Sequence, residues 1–186
     1  SALALGGILE PQIGGPPVKP YQPEGSMWKT LNNFLPAYEV DKGAGVHRRS
    51  MYTFWRRTTT PPNMMVFDSA TRDTCSAKRQ STNTPLQPLV LLNDPQFVEA
   101  ARALGQRMLK EGGATDEARA KWAFREVTGR EPNAKELPVL IDLYKTQRES
   151  FTANPGDAEK LLTVGQMKSD PALPPIEAAT ATTVAS

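Results

Sequence analysis

Apolar and polar positions divide this chain into two halves of different character. From Asp94 onward apolar residues recur at helical spacing, each run bracketed by a start and a stop signal. Asp94-Pro95 supplies a cap and a first-turn proline. Phe97, Ala101, Leu104 and Met108 then share one helical face until Gly112-Gly113 stops the run. Thr115 caps the next helix, with Asp116 and Glu117 in the first turn where the helix dipole favours negative charge. Trp122 or Phe124 with Val127 form its apolar side, and Gly129 ends it. Asn133, with Glu136 three residues on, caps a helix carrying Leu137, Leu140, Ile141 and Tyr144; Pro138 predicts an irregular start. Asn154-Pro155 opens another helix with Leu161, Leu162 and Val164 inward. Pro171 and Pro174-Pro175 lead into a last helical stretch of alanine and threonine. Short connections predict antiparallel neighbours.

Before Asp94 the periodicity is weak. Residues 10–26 are rich in proline and glycine, and proline holds φ fixed and its predecessor extended. That segment reads as a polyproline-like strap lying across its own domain, with docking onto a partner's aromatic groove as the alternative. Residues 27–34 have the pattern of one short helix, and Asp41-Lys42-Gly43-Ala44-Gly45 that of a turn. Residues 50–55 alternate as a strand would, although a helix with aromatics on two faces fits nearly as well. Pro61-Pro62 ends that element, and residues 64–67 read as a short buried strand leading into Asp68. Thr84-Pro85-Leu86-Gln87 has the form of a capping box, and Pro88 weakens the helix it would start.

The expected fold is therefore mainly α, with a loop-rich N-terminal half (1–93) with little strand and antiparallel helices in the C-terminal half (94–186). At 186 residues it suits a single domain, and 17 prolines point to a modest core with long extended connections. The ends read as cut. Ala2-Leu3-Ala4-Leu5-Gly6-Gly7 resembles the last turn of a helix and its glycine stop, and the closing helical stretch has no stop signal. A fragment truncated at both ends is the expectation.

A net charge of +2 predicts no general affinity for nucleic acid or anionic membrane. The charge is uneven, however. Across residues 47–80 seven arginines and lysines face two aspartates, a local +5 that leaves −3 on the remainder. Such a basic centre suits an anion site or an acidic partner, or else arginines bonded to backbone carbonyls of the same chain. Cys75 is the lone cysteine, so no internal disulfide forms, and no Cys/His group has metal-ligand spacing. No Cys-x-x-Cys-His haem motif is present, and no apolar run approaches the roughly 20 residues that cross a bilayer.

Several residues carry candidate chemistry. His47, the single histidine, forms a nucleophile–base pair with Cys75 if the fold brings them together. Asp68, Asp73 and Asp94 are carboxylates of the kind that cleave polysaccharides in pairs roughly 5 to 10 Å apart. Asp94 is better explained as a helix cap and Asp68 as an ion-pair partner. Arg48, Arg49, Arg72 and Arg79 suit sulfate, phosphate or uronate groups. Trp55, with Tyr52 and Phe54, suits stacking on sugar rings. The competing reading makes the aromatics core and the arginines bridges to irregular chain.

The same residues carry a family resemblance. Gly14-Gly15-Pro16-Pro17-Val18-Lys19-Pro20-Tyr21-Gln22-Pro23 resembles the "GGP-x-VKPYQP" segment of the planctomycete cytochrome-c-associated domain of unknown function, the C-terminal member of its pair. Arg48-Arg49-Ser50-Met51-Tyr52-Thr53-Phe54-Trp55 resembles its "RRSLYTFW" segment. Phe67-Asp68, Lys78-Arg79 and the run from Thr82 to Asp94 resemble its "FD … RR … TNTPLQALVLLND" block. Met51, Lys78 and Pro88 stand where that pattern has leucine, arginine and alanine. The resemblance runs from about Leu3 onward and implies a further helix beyond Ser186. It also implies export to the periplasm or cell surface, and a neighbouring cytochrome c domain that holds its own haem. It implies no established reaction.

Two functions stand at this point. One is a non-catalytic structural or interaction module of a larger exported, cytochrome-c-associated bacterial protein. Its partners are the neighbouring domains of the same polypeptide, and it has no cofactor of its own. The other is a carbohydrate-active enzyme or binding domain for an anionic polysaccharide. That reading draws on His47, Asp68 and Asp73 for catalysis and Arg48, Arg49, Arg72, Arg79 and Trp55 for binding.

Overall fold

The helix signals of the second half are realised at the residues that carry them. In the computed structural model, which describes residues 1–22, 38–56, 60–70, 75–78 and 81–186, eight α-helices occur among the described residues. They are α1 (Ala2–Leu5), α2 (Pro62–Val66), α3 (Leu86–Asn93), α4 (Pro95–Glu111), α5 (Asp116–Thr128), α6 (Glu136–Ala153), α7 (Pro155–Leu162) and α8 (Pro175–Ala185). The protein is mainly α, as expected. The chain divides into two units, Ser1–Leu9 with Phe97–Ser186, and Glu10–Gln96. The expected helix over residues 27–34 lies outside the described residues.

Capping sets the boundaries in the helical unit and just ahead of it. The Asp94 carboxylate accepts the Gln96 N–H at 2.9 Å, and the Thr115 hydroxyl accepts that of Ala118 at 3.2 Å. Asn133 Oδ1 accepts the N–H groups of Lys135 and Glu136 at 2.8 and 3.0 Å. Glu136 returns the favour by accepting the Asn133 N–H at 2.8 Å. Pro138 falls within the first turn of α6, where an N–H has no intrahelical partner, so it does not break the helix. Gly129 closes α5 in the left-handed conformation, at φ +73°.

The core of this unit joins Met108, Ala123, Tyr144 and Ala181, with Leu109, Trp122 and Val184 packed against it. Residues 178–182 of α8 are all buried, so this small-residue helix is covered on every side. Its threonines do not leave orphan hydroxyls there. Thr180 donates to Ile176 O at 2.8 Å and Thr182 to Ala178 O at 2.7 Å. A Cβ at Gly105 would lie 2.7 Å from Thr182 N, so only glycine lets α4 approach the α8 backbone this closely. On α5 the core-facing positions are Ala120 and Ala123, while Val127 is 52% exposed, against expectation. Close helix approach puts alanine inside. Trp122 and Phe124 are half-buried beneath Arg107 and Arg130, 5.1 and 4.8 Å from the ring centres.

α1 ends in a Schellman pattern: Ile8 N donates to Leu3 O and Gly7 N to Ala4 O, both at 3.0 Å, with Gly7 at φ +74°. The glycine stop seen in the sequence is thus correct, and Arg107 ties this turn to α4 by donating to Leu5 O at 2.6 Å.

The other unit is irregular. Its pairing outside helices includes two isolated parallel bridges, Glu10 with Arg48 and Val18 with Thr53. Residues 50–55 resolve the strand-or-helix ambiguity by dividing: Ser50–Tyr52 is a 3-10 turn and Thr53 is extended against Val18. The buried strand expected over residues 64–67 is instead the end of α2, with Met65 54% exposed. Pro62 at the first helical position, with the Pro61 carbonyl accepting from Met64 and Met65, starts a helix where periodicity was too short to decide. The Thr84 capping box does not form either. Gln87 turns away to donate to Val66 O at 3.0 Å and Thr82 O at 3.1 Å. Pro88 sits in the first turn of α3 and leaves it intact.

Candidate functional site

The basic centre belongs to the irregular unit, and its best-defined member is Arg48. It is buried, and its terminal nitrogens donate to Pro16 O and Gln12 O at 3.2 Å each and to Gly14 O. Its guanidinium carbon lies 4.1 Å from the centre of the Tyr52 ring. The Tyr52 hydroxyl accepts the Gly14 N–H at 2.8 Å. The described part of the proline- and glycine-rich segment, residues 10–22, is thus a strap on its own unit. Chain without ladder partners needs donors for its carbonyls, and one guanidinium supplies several in fixed geometry.

The strap continues along the same pattern. Val18 donates to Tyr52 O at 2.8 Å and accepts from Phe54 N at 2.7 Å. Lys19 N donates to the Asp41 carboxylate at 2.7 Å, and Asp41 N donates back to Lys19 O at 2.9 Å. The buried Tyr38 hydroxyl donates to Pro20 O at 2.7 Å. Burial is the main reason that its pKa is pushed up to about 12.

The Tyr52 and Phe54 rings already have cationic neighbours. Arg48 covers Tyr52, and Lys19 and Arg56 lie 5.9 and 6.0 Å from the centre of the Phe54 ring. Tyr38 stacks on Phe54 at a tilt of 44°, with ring centres 6.5 Å apart. Trp55 and His47 are half-buried, and Arg49 is exposed. His47 ends a 3-10 turn, Gly43–His47, and its backbone carbonyl accepts the Glu10 N–H at 3.0 Å.

Asp68 adopts φ +55°, a conformation that L-residues seldom take. The cause is local. Asp68 N donates to Met65 O at 3.1 Å and Ser69 N to Met64 O at 3.0 Å, a second Schellman pattern with aspartate in the usual glycine place. Its carboxylate accepts the Thr82 N–H at 2.7 Å and the Thr82 hydroxyl at 2.9 Å. Asp68 therefore joins the end of α2 to the segment preceding α3. Arg72, Asp73 and Arg79 lie outside the described residues. Cys75 is exposed, and no group of three or more potential metal ligands occurs among the described residues.

Two side-chain networks in the helical unit were missed from the sequence. Glu99 and Arg102 are fully buried one turn apart on α4. Arg102 donates to Leu162 O and Val164 O, both at 2.6 Å, and to Met167 O; Glu99 accepts from Gln166 N at 2.9 Å and from Met167 N. The pair reads both donors and acceptors of the turn between α7 and α8. The second network centres on Arg148 of α6. It grips Asp116 of α5 bidentately at 2.7 and 2.8 Å and Glu177 of α8 at 2.7 and 3.1 Å. Arg148 depresses the Asp116 pKa, and Asp116 and then Glu177 push the guanidinium's own pKa higher still. Mid-helix charges with apolar neighbours, such as Glu99 between Val98 and Ala100, were the available signal.

No helix among the described residues is long and apolar enough to cross a membrane. No curated protein and no solved structure shows significant similarity to the chain. The sequence does match one family model, over residues 1–144, and on that match the chain belongs to the PSD1 family, "Protein of unknown function (DUF1553)".

Proposed function

We propose that this chain is a non-catalytic structural or interaction module of a larger exported bacterial protein of the planctomycete, cytochrome-c-associated kind. Its partners are the neighbouring domains of the same polypeptide, a cytochrome c domain among them. Haem c belongs to that separate domain, and the whole resides outside the cytoplasm. The observation that carries the reading is Arg48, the buried arginine of the most distinctive motif. Its terminal nitrogens are engaged with carbonyls of the chain's own strap, and its flat face covers Tyr52. Asp68 likewise spends its carboxylate on Thr82. A motif built to hold irregular chain in place is what a scaffold needs.

Calorimetric titration with polygalacturonate and chondroitin sulfate, together with an assay for new reducing ends, tests this. Neither binding heat nor new ends is expected. Saturable binding lost in Arg49→Ala, or turnover lost in Asp68→Asn, would turn the assignment to a domain acting on anionic polysaccharide. Co-purification of the full polypeptide with covalent haem from an extracytoplasmic fraction tests the placement.

A further inference from the structure

The family match ends at Tyr144, in the middle of α6. We infer that α7 and α8 belong to the same cooperative folding unit as α4–α6, with α4 acting as a built receptor for the chain beyond residue 160. Three independent sets of contacts cross from the matched span into the segment after it.

The first is polar. Glu99 and Arg102 of α4 satisfy five backbone groups on residues 162, 164, 166 and 167. Both side chains are fully buried, and losing that segment would strip these five hydrogen bonds from two buried charges. Gly165, at φ +83°, gives the turn its shape; a Cβ there would lie 2.6 Å from Glu99 Cδ. The second is steric. Gly105 admits the backbone of Ala181 and Thr182 to within 2.9 Å of where its Cβ would be. The third is ionic: Arg119 of α5 lies 3.7 Å from Glu177 of α8, which Arg148 also holds. Arg148 follows the matched span, but it also grips Asp116 inside it. Tyr144, the last matched residue, is fully buried in the same core cluster as Ala181 of α8. A helix enclosed on all sides, as α8 is, occupies the centre of a unit rather than its margin.

Native-state hydrogen exchange of the whole chain, followed peptide by peptide in rising urea, tests the inference. Amides of α5, α6 and α8 are expected to converge on one opening reaction with a single urea dependence. Arg102→Met should then accelerate exchange in α5 and α6 together with α8, roughly tenfold or more, from one loss of stability shared by all. Separate opening of α7 and α8 at low urea, with α4–α6 still protected, would overturn it. So would an Arg102→Met chain in which only residues 155–186 exchange faster.

Discussion

Arg48 and Tyr52 divide a single residue between them. Tyr52 accepts the N–H of Gly14 at 2.8 Å, Arg48 donates to the carbonyl of the same glycine, and the guanidinium lies 4.1 Å above the tyrosine ring. Gly14 itself sits at φ +79°, where a side chain would be strained. Removing either partner should loosen the strap. Arg48→Ala is expected to cost about 2 kcal/mol, because several carbonyls lose a charged donor. Tyr52→Phe should cost about 1 kcal/mol. Arg48→Lys recovers little, since one ammonium cannot match a fork aimed at three carbonyls. Urea denaturation of the single and double variants gives the coupling, expected at about 0.5 kcal/mol or more. Simple additivity would show that the two residues hold the strap independently.

Asp68 carries two demands that different substitutions separate. Its left-handed backbone favours glycine or asparagine, and its carboxylate holds Thr82. Asp68→Asn keeps the backbone preference and part of the hydrogen bonding, and should cost less than about 1 kcal/mol. Asp68→Gly gains backbone freedom but loses Thr82, and Asp68→Ala loses on both counts, by about 2 kcal/mol. The order Asn, Gly, Ala in thermal midpoint checks this. Alanine matching asparagine would mean that the Thr82 contact contributes nothing.

How much of this was legible follows from the range of each signal. Caps and glycine stops act within four residues, so Asp94, Thr115, Asn133 and Gly129 could be read directly. The strap was legible in kind because proline restricts φ locally. Its fastening was not, because Arg48 and Gly14 are 34 residues apart and nothing in a sequence pairs them. The same holds for Glu99 with Met167, 68 residues on. The errors came where local signals were short or competed. Four residues over 64–67 were too few to tell strand from helix, and the Gln87 side chain donates to Val66 O where the capping box would have it accept the Thr84 N–H. Val127 was misplaced because large apolar residues were expected inside α5, whereas close packing selected Ala120 and Ala123.

Gly165 marks the turn on which the Glu99–Arg102 pair acts. At φ +83°, with Glu99 Cδ 2.6 Å from any added Cβ, Gly165→Ala meets both backbone strain and a buried carboxylate that is held by two amides. A loss of about 2 to 4 kcal/mol is expected. Gly156, where a Cβ would meet nothing within 4 Å, is the control, and Gly156→Ala should change stability by less than about 1 kcal/mol in either direction. Equal thermal midpoints for the two variants would remove the steric argument.

Acid should weaken the start of α6 in a defined window. Arg130 grips Glu136 at 2.7 and 2.8 Å and Asn133 adds a backbone N–H, which draws the carboxyl down from 4.5 to about 2. The folded chain thus binds this proton less readily than the unfolded chain does. The stabilisation is complete above about pH 4.5 and disappears as pH falls through about 2. Asp116, held by Arg148, and Asp170, held by Lys110, are shifted in the same direction and add to the slope. Glu136→Gln keeps an acceptor for Asn133 while discarding the charge, so it isolates the Arg130 pairing. The gap in urea midpoint between the native chain and this variant should be constant from neutral pH to about pH 5 and then close towards pH 2. A gap that persists unchanged at pH 2 would mean that the difference comes from packing or capping, and that the ion pair with Arg130 adds nothing to folding.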